Sequence, residues 1–323
     1  MGEPTTAETL THWYREMYQI RRFEELAAKA YTQRKIMGFC HLYIGQEAVG
    51  VGSIAALNPD DTVVTAYRVH GQVLARGATP RSVMAELFGK AAGICGGLGG
   101  SMHMADPKLH FYGGYGIVGG HVPLAVGAAF AHKYEKNSRV ALVYLGDGAT
   151  NQGAFYESML LASLWKLPVI FFIENNFYAM GTSLERQSAV LDLHERAAGT
   201  GMAHWSFGGF DVAEVQAETA KAVAIARSGG GPVLLEARCY RYRGHSMSDP
   251  AKYRKPGELD EIKKQDCLHL AEQQLATLGV DEAALATIRA EVDAICEDAY
   301  AFAEAAPEPE AATLYDHTYA GVR

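Results

Sequence analysis

Leu10, Trp13, Met17, Ile20, Leu26 and Ala30 recur mostly every three or four residues. That spacing lines one face of an α-helix and predicts an amphipathic helix over residues 7–35. Residues 36–43 read as extended. Small residues predict a second helix over 47–57, stopped by Asn58-Pro59, and residues 62–65 predict a short strand. Residues 89–120 form a glycine-rich stretch that reads as a long irregular loop between two helices, and long loops in compact domains are usually functional. Beyond it, apolar runs alternate with helical patterns: helix 121–134, strand 139–145, helix 153–165, strand 169–173, helix 213–228 and strand 233–240. The runs are largely apolar, as in strands buried on both faces. Their alternation with helices predicts an α/β fold, a parallel sheet flanked by helices on both faces. Residues 259–305 read as charged helix, a packing or partner element. One domain over 1–323 is expected, with a core at 61–250 and helical extensions at 1–60 and 251–323.

Composition narrows the class. The chain has 323 residues, 49% of them hydrophobic, and a formal net charge of −8. An acidic balance disfavours nucleic-acid binding, which needs a clustered basic surface. The five cysteines, Cys40, Cys95, Cys239, Cys267 and Cys296, are scattered and form no C-x-x-C pair. That argues against a disulfide framework and a structural zinc site, and for a reducing compartment. No run of 18 apolar residues predicts a membrane span. Glu3, Glu8 and Glu16 in a segment without an apolar core do not suit a signal or transit peptide. Met1-Gly2 with Thr6 fits the myristoylation pattern only loosely. The expected location is the bacterial cytoplasm, ahead of the mitochondrial matrix.

The chemistry concentrates at two strand ends. Gly146-Asp147-Gly148 follows the strand 139–145, and Asn175-Asn176 follows the strand 169–173. In open parallel sheets ligands bind at the carboxyl ends of strands. The helix between the strands returns the chain, so both motifs fall on one edge. Asp147 offers a carboxylate, Asn176 an amide oxygen and Tyr178 a backbone carbonyl. Such a set suits magnesium, which takes hard oxygen ligands from one or two protein groups plus phosphate. Gly146 and Gly148 let a diphosphate approach the backbone, and the helix beginning near Gly153 offers an N-terminus to the anion.

The segments around these motifs resemble the alpha subunits of thiamine-diphosphate-dependent 2-oxo acid dehydrogenases, those of pyruvate dehydrogenase type most of all. The resemblance rests on residues 146–153 (GDGATNQG), 162–168 (ASLWKLP) and 174–183 (ENNFYAMGTS). Residues 38–42, 65–71, 100–104, 116–119 and 240–250 (YRYRGHSMSDP) add to it. It runs from about residue 10 to residue 320. It implies the thiamine-diphosphate-binding fold and two cofactors, thiamine diphosphate and Mg2+. The metal ligands would be Asp147, Asn176 and Tyr178. Tyr67, Arg68 and His245 would contact the diphosphate, together with Gly148 and Ala149. Gly116 and Val118 would contact the aminopyrimidine, and Phe39 would line the site. His245 is the expected catalytic residue, because its unperturbed pKa near neutrality suits proton transfer. Ser183 and Ser246 match positions that mitochondrial members phosphorylate.

The resemblance also implies the reaction and the assembly. Pyruvate would be decarboxylated oxidatively and its acetyl group passed to a lipoyl group, with acetoin and branched-chain 2-oxo acids as alternative substrates. A separate beta subunit would complete an α2β2 heterotetramer, and a lipoyl-bearing acyltransferase would accept the product. No nucleic acid and no membrane is expected as a partner. The chain departs from the family pattern at Gly208-Gly209-Phe210-Asp211, at Gly120-His121 and at Ala203-His204-Trp205-Ser206.

Other readings are weaker. Gly114-Tyr-Gly-Ile-Val-Gly119 matches a dinucleotide fingerprint, but residues 109–113 do not read as an apolar strand before it. His103, His110, His121 and His132 have no zinc spacing and read as hydrogen-bonded or surface histidines. A non-catalytic assembly subunit would be expected to lack Asp147, Asn176 or His245, and all three are present.

Overall fold

The computed structural model describes residues 5–316, so the Met1-Gly2 pattern lies outside it. Six parallel strands form one sheet: β1 (Thr62–Ala66), β2 (Phe111–Tyr115), β3 (Ala141–Gly146), β4 (Val169–Asn175), β7 (Ala203–Gly208) and β8 (Val233–Arg238). Their order is β2-β1-β3-β4-β8-β7. A two-stranded hairpin, β5 (Tyr178–Ala179) and β6 (Thr182–Ser183), stands apart.

The continuous apolar runs are explained by the two faces. Ala141, Val143 and Leu145 pack toward α5 (Val122–Glu135) and α6 (Gly153–Leu164). Leu142 and Tyr144, pointing the other way, join a larger core. That core is built on α1 (Ala7–Thr32), α2 (Glu47–Ala55) and α8 (Val212–Arg227). Successive strand side chains alternate faces, so a strand covered on both sides is apolar at every position.

Several expectations need correction. The stretch 89–120 is not wholly irregular, since it contains the edge strand β2 and two 3-10 turns. Gly113-Gly114 hides the strand, because glycine is depleted in strands. The dinucleotide fingerprint thus begins inside this strand, where Gly114 pairs with Thr65 in the ladder and is not free to make the phosphate turn. The edge strand β7 went unread because Ala203-His204-Trp205-Ser206 is mixed in polarity. The helix before the stretch 89–120 is α4 (Pro80–Leu87), whereas α3 (His70–Ala75) and the short α7 (Leu184–Gln187) are not announced by the hydrophobic pattern.

The long C-terminal helix is three: α9 (Glu258–Lys263), α10 (Cys267–Thr277) and α11 (Glu282–Ala305). Asp266 and Asp281 cap the last two, accepting from Leu268 N–H and Ala284 N–H, as N-cap carboxylates do. Both α10 and α11 pack on α1, and α11 also packs on α4.

Candidate functional site

The carboxyl ends of the central strands are in register: Gly146 pairs with Glu174, and Glu174 with Ala237. A cavity of about 250 Å3 opens there. Tyr67, Arg68, Val118, Asp147, Gly148, Ala149, Asn176, Tyr178 and His245 line it. Phe39 and Gly116 line a neighbouring cavity of about 650 Å3, which shares Tyr67, Val118 and His245 with the first. All eleven expected residues therefore lie around two adjoining spaces, although they come from six separate stretches of sequence.

At the metal end, Asp147 opens a 3-10 turn, Asp147–Asn151, that precedes α6. This turn, and not the first turn of α6, supplies the residues lining the cavity. Burial pushes the Asp147 carboxyl up to about 6, partly offset by Gln187, whose side-chain amide donates to it, and by the charge of Arg241. Asn176 Oδ1 accepts from Arg241 Nη1 at 2.8 Å, and the Tyr178 carbonyl accepts from the same nitrogen at 2.6 Å. The Asn176 amide nitrogen donates to Gln46 Oε1 at 3.1 Å, which fixes its orientation. Two of the three expected metal oxygens thus already face one cationic nitrogen. The donor set fits a hard divalent cation, which would compete with Arg241 for both oxygens.

The loop holding these oxygens is strained. Phe177 and Met180 adopt φ of +67° and +54°, a left-handed region costly for residues with a Cβ, and such strain collects at ligand sites. Packing demands glycine at 148: a Cβ there would stand 2.6 Å from Ala179 Cβ. Gly146, by contrast, has open space at its Cβ position.

At the anion end, Arg68 is buried and donates to the carbonyls of Leu42 at 2.6 Å and His245 at 2.8 Å. Arg241 is also buried and donates to carbonyls, the Asn176 amide and the Tyr253 hydroxyl. Neither guanidinium donates to a carboxylate in these bonds. Buried charges need partners, so two such cations beside one cavity suit an anion. The carboxylate on the cavity floor, Glu174, is pushed up to about 7 by burial. It is held by Tyr43, Gln46 and Gln72.

His245 rings against His41 and Tyr67, with centroids 5.0 and 5.6 Å away. Burial, with Arg68 and Arg241 nearby, lowers its pKa to about 4. The same causes, burial first, bring His41 down to about 2. Both imidazoles are neutral at pH 7. Asp249 accepts from the His245 backbone N–H at 2.6 Å and from the Tyr253 hydroxyl at 2.7 Å, which ties the turn to Arg241.

Five residues of the site escaped the sequence reading: His41, Gln46, Glu174, Gln187 and Arg241. His41, Glu174 and Arg241 lie inside segments that carry the resemblance, so position within those segments was the available signal. Gln187 had none, because only the turn through the β5–β6 hairpin brings it to Asp147.

The two serines separate. Ser246 is buried, lines the larger cavity and sits 2.9 Å from Ser248 Oγ. Ser183 pairs with Tyr178 in the hairpin and lines neither cavity. A negative charge on Ser246 would lie beside the anion pocket and repel a bound diphosphate. Ser246→Glu is expected to lower turnover by roughly tenfold or more, as a few kcal/mol of repulsion does. A steady-state assay giving the wild-type rate for this variant would remove Ser246 from the site.

The cysteines are free, four of them buried. The four histidines of the rejected zinc reading are held separately. His121 hydrogen-bonds the Tyr144 carbonyl, His132 the Thr62 hydroxyl and His103 the Gly114 carbonyl, while His110 ends a 3-10 turn.

The family described as "Dehydrogenase E1 component" matches residues 15–312. The chain is 51% identical over 304 residues to the pyruvate dehydrogenase E1 component subunit alpha of Rhizobium meliloti (strain 1021), covering 94% of this chain and 87% of that protein. It is 50% identical over 316 residues to the protein of the same name from Zymomonas mobilis, covering 97% and 89%. The mitochondrial protein of that name from Sminthopsis macroura is 45% identical over 327 residues, covering 98% and 88%.

Proposed function

Because the chain belongs to the dehydrogenase E1 component family, we propose that it is the alpha subunit of a pyruvate dehydrogenase. The reaction is the thiamine-diphosphate-dependent oxidative decarboxylation of pyruvate with transfer of the acetyl group to a lipoyl group. The relatives described above carry the pyruvate dehydrogenase name, which favours pyruvate over acetoin and branched-chain 2-oxo acids. The observation that carries the reading is the convergence of Asn176 Oδ1 and the Tyr178 carbonyl on one cationic position, beside Asp147 and two buried arginines.

Thiamine diphosphate, when bound, supplies the electron sink for decarboxylation. Everything else falls to the residues. Asp147, Asn176 and the Tyr178 carbonyl would hold Mg2+. Arg68 would neutralise the diphosphate, with Gly148 and Ala149 offering backbone. Tyr67, Gly116, Val118 and Phe39 would shape the space beyond. His245 would accept or donate a proton at its imidazole during acyl transfer.

A beta subunit is the expected partner. An apolar face on α5 and α6 exposes Leu124, Phe130, Tyr134, Leu160, Leu164 and Trp165, and contiguous exposed apolar surface marks an interaction site. The larger cavity is walled by Phe39, 61% exposed, so the cofactor's outer half needs a second wall. An α2β2 heterotetramer supplies it, and a lipoyl-bearing acyltransferase takes the product. No described helix is long and apolar enough to cross a membrane, and bacterial relatives favour the cytoplasm.

The purified chain alone is expected to show no pyruvate-dependent reduction of ferricyanide, and co-expression with its beta subunit should restore it. Turnover by the single chain would refute the shared site. For the restored pair, a higher kcat/KM on acetoin or a branched-chain 2-oxo acid than on pyruvate would refute the substrate.

A further inference from the structure

His194 and His204 lie away from the cavity, where a 3-10 segment (Leu193–Thr200) leads into the edge strand β7. Their Nδ1 atoms are 2.9 Å apart, and one ligand atom from each of His194, Glu195 and His204 falls within 4.8 Å of the others. Both imidazoles are half-buried, and the Glu195 carboxylate is exposed. The backbone under them is pinned. The His194 N–H donates to the buried Glu236 carboxylate at 3.0 Å, and His204 stands opposite Leu234 in the sheet.

Two nitrogens bound to one first-row ion, each about 2.0–2.1 Å from it, stand roughly 2.9–3.4 Å apart for bond angles between square and tetrahedral. The observed separation lies in that range. Without an ion, one Nδ1 must carry a proton and donate it to the other.

We propose that His194, His204 and Glu195 form a binding site for a divalent transition-metal cation, separate from the magnesium site. Two imidazoles and one carboxylate suit ions such as Ni2+, Cu2+ or Zn2+ and disfavour Mg2+. On binding, the donor imidazole shifts its proton from Nδ1 to Nε2, so both Nδ1 lone pairs face the ion and no net proton is released. Glu195, free to rotate, supplies the third ligand. Its nearest oxygen stands 4.0 Å from Nε2 of His194, so the exposed carboxylate turns toward the Nδ1 edge to bind.

The test uses the assembled complex, saturated with Mg2+ and thiamine diphosphate so that the hard site is filled. Equilibrium dialysis against Ni2+ is expected to find one ion more per alpha chain in the wild type than in His204→Ala, with at least tenfold weaker binding at that site in the variant. Electron paramagnetic resonance of the Cu2+-loaded wild type is expected to show two imidazole nitrogens. Equal Ni2+ binding by wild type and variant, no Ni2+ binding, or a Cu2+ spectrum without two imidazoles would each overturn the site. The spectrum needs no variant, so a His204→Ala chain that misfolds leaves the proposal open to refutation.

Discussion

Asp147→Asn is expected to abolish thiamine-diphosphate binding and turnover while making the cofactor-free chain more stable. The substitution would remove the proposed carboxylate ligand of Mg2+ from a site where only a few protein oxygens are available. It keeps the shape and the acceptor for Gln187. The stability effect follows from the raised pKa. Burial lifts the Asp147 carboxyl from 3.8 to about 6. An acid with a raised pKa in the folded state gives stability that is fully present below its unfolded pKa, near 4, and lost as pH rises through 6. At pH 7 the ionised, only partly compensated carboxylate costs on the order of 1–3 kcal/mol. Urea unfolding without cofactor should therefore separate variant from wild type little at pH 4 and most at pH 7. Calorimetry that finds unchanged thiamine-diphosphate affinity in Asp147→Asn would sink the metal assignment.

His245→Ala is expected to fall harder on acetyl transfer than on decarboxylation. Loss of a positioned proton donor or acceptor costs about 10²–10⁴-fold, and that loss should appear with the lipoyl acceptor. With ferricyanide as acceptor, the fall should be about tenfold or less, from weaker diphosphate contact alone. Excess cofactor should recover part of that second loss. The pKa near 4 adds a signature in the cofactor-free protein. The imidazole should titrate well below 6.5 by NMR, staying neutral from pH 5 upward. Equal losses in both assays would assign His245 to cofactor binding only, and normal rates in both would take it out of the site.

The site was more legible than the sheet that carries it. Asp147, Asn176 and the Tyr178 carbonyl follow the apolar runs 140–145 and 169–173, so both the strands and their ends could be located from the residues. Arg68 and His245 needed the resemblance, since a single arginine or histidine carries no spacing. That packing also demands glycine at 148 was not legible, because what its missing Cβ avoids is Ala179 in the hairpin, a contact set by folding. β2 and β7 were missed because an edge strand pairs on one side only and tolerates glycine and polar residues.

By itself the sequence determined the α/β class, the parallel central strands and the two strand-end motifs. These depend on local periodicity and on burial of both faces, which every residue along the run records. Only the tertiary structure decided that Arg241 faces Asn176 Oδ1 and the Tyr178 carbonyl, that Gln187 reaches Asp147, and that His194 meets His204. Each of those contacts joins segments through turns and crossovers whose geometry is set by packing, and packing leaves no periodic trace in the residues it brings together.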